Sequence, residues 1–294
     1  MQHTIDDLVT ASPHFLGMDA PYGEAKVVVF GAPFDGTTSN RPGTRFSTTY
    51  MRVESEGLET YSPLLRLDLE DTAIRDQGDI VLNNGNTPLI MEQIKTAVAQ
   101  VLADGKIPFM VGGEHLVTLP AVQAIHEKYP NVYILHLDAH TDLADMLNGE
   151  KLSHGTVIRR VWELLGDGRI YQFGIRSGTR SEFDFALVDK HTTMEPLAIT
   201  TTGDVIKQLA GKQVYVTIDL DVLDPSIFPG TGTPEPGGIT YRELEQFFLQ
   251  LQASELDIVG ADIVELSPHY DHSSVSTVVG CKVLRDLGLI LANQ

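Results

Sequence analysis

Six short apolar runs punctuate the chain, each closing on glycine, proline or acidic residues: KVVVFGAPF, KIPFMVGGEH, NVYILHLDAH, RIYQFGIRS, QVYVTIDLDV and LDIVGADIVEL. Their apolar character is continuous rather than strictly alternating, which is the mark of strands buried on both faces. Between several of them the period changes to that of a helix. Residues 87–105 set Ile90, Ile94, Ala97, Val98 and Val101 three and four positions apart and stop near Gly105. Residues 240–254 open on a Thr240–Glu243 capping box and bring Leu244, Phe247, Phe248 and Leu251 onto one side. Buried strands alternating with amphipathic helices predict an α/β fold, a parallel sheet covered on both faces. No linker, repeat or low-complexity tract interrupts the pattern, so one domain is expected over residues 1–294. The region 32–87 is rich in Gly, Thr, Asn and Pro with little periodicity and is expected to supply long loops.

A chain of 294 residues, 42% of them hydrophobic, is large enough for a sizeable core. The formal charge of -19 argues against a nucleic-acid partner, since phosphate binding needs Lys and Arg on the contact face. It suits a cationic ligand, and equally suits solubility alone. Cys281 is the only cysteine, so an intrachain disulfide is excluded. The start, MQHTIDDLVT, lacks the basic and apolar regions of a signal peptide, and no apolar stretch approaches the roughly 18 residues of a membrane span. A soluble, cytoplasmic chain with no membrane partner is the expectation.

In open α/β sheets ligands bind beyond the carboxyl ends of the strands. GGEH, DAHTD and DLD all fall there, so three strands deliver polar groups to one sheet edge. The set is His115, Asp138, His140, Asp142, Asp219 and Asp221. Four crowded carboxylates repel and raise one another's pKa values unless cations neutralise them. Six ligands over-supply one divalent ion but suit two with shared carboxylates. Oxygen and imidazole donors without thiolates suit Mn, Mg, Fe or Zn. His136 lies inside its strand and reads as a supporting group rather than a ligand. Singly, each motif is also ordinary turn or capping chemistry; their joint occurrence is what points to a site.

With these residues in view, the chain resembles the ureohydrolase family, the binuclear manganese enzymes that include arginase, agmatinase, guanidinobutyrase and formimidoylglutamase. The segments that carry the resemblance are GGEHLVTLP (112–120), HLDAHTDL (136–143), SHGT (153–156), IDLDVLDPSIFPGTGTPEPGG (218–238) and DIVEL (262–266). Glu114 departs from the Asp that many members carry before the histidine. Similar organisation runs from about residue 24 to the end, leaving residues 1–23 as an N-terminal extension. The resemblance implies a three-layer α/β/α sandwich with an eight-stranded, mostly parallel sheet. It implies two Mn2+ per chain, the first on His115, Asp138, Asp142 and Asp219, the second on His140, Asp138, Asp219 and Asp221. It assigns Asp142 as acceptor of a proton from the attacking hydroxide, His154 as proton shuttle and Glu265 as the carboxylate that binds guanidinium. A homo-oligomer, trimer or hexamer, is also implied.

The form GTGTPEPGG resembles the agmatinase branch, and Asp145 in the loop ADMLNGEKLS does not look built to receive a carboxylate. The expected reaction is therefore hydrolysis of agmatine, a small cationic guanidino substrate, to putrescine and urea. Asp145, Glu150 and Glu265 are expected in or near the segments lining the pocket, with Lys151 able to turn inward; Arg159 and Arg160 are not assigned. A guanidino-acid ureohydrolase such as guanidinobutyrase is the alternative. A catalytically idle homologue serving as a ligand-binding or partner subunit is the alternative of another class.

Overall fold

The computed structural model describes residues 4–5, 9–10, 14–83 and 85–294. The six apolar runs form six strands of one sheet: β2 (Val27–Ala32), β6 (Ile107–Gly112), β7 (Tyr133–Leu137), β8 (Ile170–Ile175), β10 (Gln213–Asp219) and β11 (Asp257–Val264). Two further parallel strands, β5 (Ile74–Ile80) and β9 (Thr193–Pro196), and a two-residue edge strand, β1 (Val9–Thr10), complete it. Its order is β1-β5-β2-β6-β11-β10-β7-β8-β9, with eight strands parallel and β1 alone antiparallel, on β5.

Each strand buries alternate residues on opposite faces, as its period of two requires. Val27, Val29, Phe109, Val111, Leu135, Leu137, Val214, Val216 and Ile218 join one apolar cluster. Val28, Phe30, Met110, Ile134 and Tyr215 join the other. Helices α1 (Ser47–Ser55), α6 (Thr202–Gln208), α7 (Tyr241–Gln252) and α8 (Val275–Asn293) cover the first face. Helices α2 (Thr87–Ala103), α3 (Thr118–Lys128) and α4 (Val157–Leu165) cover the second. A single turn, α5 (Arg180–Phe183), follows β8 and is closed by the Thr179–Glu182 capping box. The result is the α/β/α sandwich expected from the pattern. Gly105 follows α2 with φ +73°, a conformation natural to glycine, and Thr240 and Glu243 form the reciprocal cap of α7.

The region 32–87 is more regular than its composition suggests. It holds α1, the small hairpin β3 (Tyr61–Ser62) with β4 (Leu67–Asp68), and the sheet strand β5. The sequence of β5, IRDQGDI, lacks an apolar run because its buried Asp76 binds the buried Arg52 of α1 at 2.8 Å. Of the N-terminal extension, residues 1–3, 6–8 and 11–13 lie outside the described residues, whereas Phe15 and Met18 are packed in the core. No helix among the described residues is long and apolar enough to cross a membrane.

Candidate active site

Four neighbouring strands in the middle of the sheet, β6, β11, β10 and β7, present their carboxyl ends side by side. His115 opens a short helix after β6; Asp138, His140 and Asp142 follow β7; Asp219 ends β10, and Asp221 sits in the next turn. Glu265 follows β11 directly. Because β11 lies between β6 and β10, Glu265 enters the same group although its segment is remote in sequence. Asp142 (φ 52°) and Glu265 (φ 66°) both take left-handed backbone, a strain of about 1–2 kcal/mol that positions two side chains where regular strand would not.

His115 is the centre of the first group. Its Nδ1 stands 3.2 Å from Asp138 Oδ2, 3.2 Å from Asp142 Oδ2 and 3.3 Å from Asp219 Oδ2. Yet this buried nitrogen has no hydrogen-bond partner. The other side of the ring explains its orientation. Thr217 gives its hydroxyl proton to Asp262 Oδ1 at 2.6 Å, so its oxygen accepts from His115 Nε2 at 3.0 Å. With the proton on Nε2, a neutral ring turns the Nδ1 lone pair towards three carboxylate oxygens. Such a donor set repels itself and is well suited to a divalent cation.

The second group shares members with the first. His140 Nδ1 lies 3.1 Å from Asp221 Oδ2 and 3.5 Å from Asp138 Oδ1. Asp138 therefore turns one oxygen to each histidine. Backbone amides steady both acids: His140 N donates to Asp138 Oδ1 at 2.6 Å, and Ala139 N donates to Asp221 Oδ1 at 3.1 Å. His136 is buried beneath, with Nε2 at 2.8 Å from Asp138 Oδ2 and Nδ1 near Gln172. All six side chains proposed as ligands thus converge in two overlapping sets, and His136 touches one of the acids.

The electrostatics of these side chains point the same way. Burial alone would push the His115 imidazole down, but Asp138, Asp142 and Asp219 overcome this and raise it well above its ordinary value. His140 follows the same course under Asp221 and Asp138. Burial, with the charges of Asp221 and Asp138, drives Asp219 well above the carboxylate range. Asp142 is raised too, by burial and by Asp138. A buried set that must recruit protons in this way is a set short of positive charge. Two divalent ions would supply it.

A cleft of about 550 Å³ opens beside the cluster, lined by Asp142, His154, Asp219 and Thr233 among others. Glu265 Oε1 accepts from His115 N at 2.8 Å and lies 3.7 Å from His154 Nδ1, while its buried Oε2 has no hydrogen-bond partner. His154 Nε2 accepts from Ser39 N at 3.1 Å and is 2.9 Å from Ser39 Oγ. Burial lowers the His154 pKa, but Glu265, with Asp142 and Glu114 behind it, outweighs burial and brings it up to about 9. Asp145 lines the cleft mouth, held by Arg160 at 3.0 Å, and is not an unpaired acid. Glu150 is exposed and lines no part of this cleft, contrary to expectation; Lys151 is exposed and not turned into it, and Glu265 is buried beside the cluster without lining the cleft. Glu150 closes a tight turn with Leu147, and Lys151 follows it. Arg159 does line the cleft, its guanidinium 3.9 Å from the Phe185 ring centre. The supporting roles of Thr217, Asp262, Ser39 and Glu114 escaped the sequence reading; the signals available were Asp262, an acid inside an otherwise apolar strand, and Glu114, noted only as a departure from the family's Asp.

Comparison with known proteins agrees with this geometry. The arginase-family model matches residues 25–289. The chain is 45% identical to the agmatinase of Bacillus cereus over 278 residues, covering 93% of this chain and 94% of that one. It is 35% identical to the human mitochondrial guanidino acid hydrolase, covering 95% of this chain and 79% of that one. The crystal structure of a candidate agmatinase from Clostridium difficile superposes with a TM-score of 0.92 at 55% identity, over 93% of this chain and 99% of that one. With its central strand ends, its His and Asp cluster and a match that spans nearly the whole length, the chain belongs to the arginase family.

Proposed function

We propose that the chain hydrolyses agmatine to putrescine and urea, using two manganese ions held by His115, Asp138, Asp142 and Asp219 and by His140, Asp138, Asp219 and Asp221. The observation that carries guanidine chemistry is Glu265 Oε2, a buried carboxylate oxygen without a partner beside the cluster. Leaving such an acceptor unmet costs about 1–3 kcal/mol, and the planar N–H fork of a guanidinium meets it well. When bound, the two cations supply hydroxide near neutral pH by lowering the pKa of water, and they neutralise the carboxylates.

The side chains then divide the remaining work. A guanidinium carbon is a poor electrophile because its charge is delocalised, so the substrate must be held in one orientation while a C–O bond forms. Glu265 holds it. Asp142 takes the proton released as water adds. His154 returns a proton to the departing amine nitrogen, and the C–N bond breaks to give urea and a diamine. Since Ser39 N–H donates to His154 Nε2, the transferable proton belongs on Nδ1, the nitrogen 3.7 Å from Glu265.

The terminal amine of agmatine is supported by 45% identity to a Bacillus cereus agmatinase, against 35% to a human guanidino acid hydrolase. One observation favours a second reading. Arg159 lines the cleft and has no ion pair among the described residues, so it offers a carboxylate a partner. A homo-oligomer, trimer or hexamer, follows from the family resemblance, and the one buried thiol suits a reducing cytoplasm. Urea release from agmatine and from 4-guanidinobutanoate, at matched pH and salt, separates the two substrates. Agmatine is expected to turn over faster, and Arg159→Gln should leave its kcat/KM within a few-fold. Faster turnover of the guanidino acid, lost on Arg159→Gln, would overturn the assignment.

A further inference from the structure

We propose that Glu114 is a positioning residue for His154, clamping the Thr37–Ser39 loop whose hydrogen bonds aim the imidazole. Glu114 lies next to His115 in sequence, but its fully buried carboxylate is bonded to Thr37 and Thr38 rather than to the proposed ligands. Every one of its side-chain partners is in the loop. Thr37 N donates to Oε2 at 2.9 Å, Thr37 Oγ1 donates to Oε1, and Thr38 Oγ1, whose proton also reaches Asp35 O at 2.9 Å, lies 3.0 Å from Oε2. A backbone bond from Glu114 N to Phe34 O, 2.7 Å, ties the start of the same loop.

The loop in turn holds His154 at both ends. Thr37 gives its hydroxyl proton to Glu114, so its oxygen is free to accept from His154 N, at 3.2 Å. Two residues on, Ser39 meets the ring itself: its N–H donates to Nε2 at 3.1 Å and its hydroxyl lies at 2.9 Å. This pair serves both protonation states. With a neutral ring the N–H donates to Nε2; with a charged ring Nε2–H donates to the Ser39 oxygen. A proton carrier needs a support that remains bonded through the transfer, and the backbone N–H at Ser39 is aimed only while the loop stays in place. Glu114 holds it there through Thr37 and Thr38.

The inference rests on the proposed role of His154, and its test separates the two. Glu114→Ala should lower kcat on the order of 10–100-fold with KM nearly unchanged and full metal content by elemental analysis. In a His154→Ala background the same change should cost nothing further, because the clamp then has nothing to aim. Thr37→Val, which removes one link and keeps the side-chain shape, provides the same cycle should Glu114→Ala fold poorly. Equal losses with and without His154, or loss of metal, would overturn the proposal. A second readout needs no turnover: with diamagnetic zinc bound, the 15N resonance of His154 Nε2 should shift in Glu114→Ala and in Thr37→Val. An unmoved resonance contradicts the clamp even if urea is never formed. Absence of urea from the unaltered chain contradicts the reaction alone.

Discussion

At the scale of residues, the site is a contest between burial and charge. His115 and His140 are both raised above the ordinary imidazole range in the metal-free chain, burial working against them and the surrounding carboxylates winning. Both therefore carry a proton at pH 7, and a cation can use either nitrogen only after expelling it. Metal binding at pH 7 should release protons from these histidines and from the raised Asp219, and affinity should weaken as pH falls. Calorimetry in buffers of different ionisation enthalpy measures this; a binding heat independent of buffer would contradict it. The cluster of proposed ligands was legible because Asp and His recur together at the ends of three apolar runs, where crowded carboxylates need a cation between them. Their supports were not. Glu114 meets Thr37 across 77 residues of chain, and Ser39 meets His154 across 115, so no local pattern announces either contact.

At the scale of elements, the six strands and the helices α2 and α7 were legible from period alone, because each puts its apolar residues on one face or both. Three strands of the sheet were hidden for different reasons, β1 because it has only two residues. β9 has only four residues, too few to establish a period. β5 carries Asp76 at a fully buried position, paired with Arg52, which also binds Asp79 at 2.7 Å. Removing one partner of a buried ion pair leaves an uncompensated charge and costs about 3–5 kcal/mol. Arg52→Ala should lower the urea midpoint of unfolding by a corresponding amount, because Asp76 would be stranded in the core between β5 and α1. An unchanged midpoint would mean that water reaches Asp76 and that the pair does not tie α1 to the sheet. The order of the strands was not legible either. That β11 separates β6 from β10 is what gathers Glu265 and His115 into contact, and a linear pattern cannot convey adjacency.

At the scale of the whole molecule, a chain with formal charge -19 concentrates buried carboxylates at one edge of a parallel sheet. The fold tolerates them because four adjacent strand ends hold them to backbone amides and to three imidazoles, His115, His136 and His140. What the side chains leave unmet is positive charge in the cluster and a donor for Glu265 Oε2. The cleft mouth is less acidic than the sequence suggested, since Asp145 is paired with Arg160 and Glu150 lies elsewhere. Selectivity for a dication therefore rests on the inner site more than on a charged funnel. Two cations and these side chains should together release urea from a guanidine, which a titration of the metal-free chain with manganese, read as urea formed from agmatine, measures. Urea release should rise with added ion and level off at about two equivalents per chain. Full activity at one equivalent, or no urea at any manganese content, would contradict it.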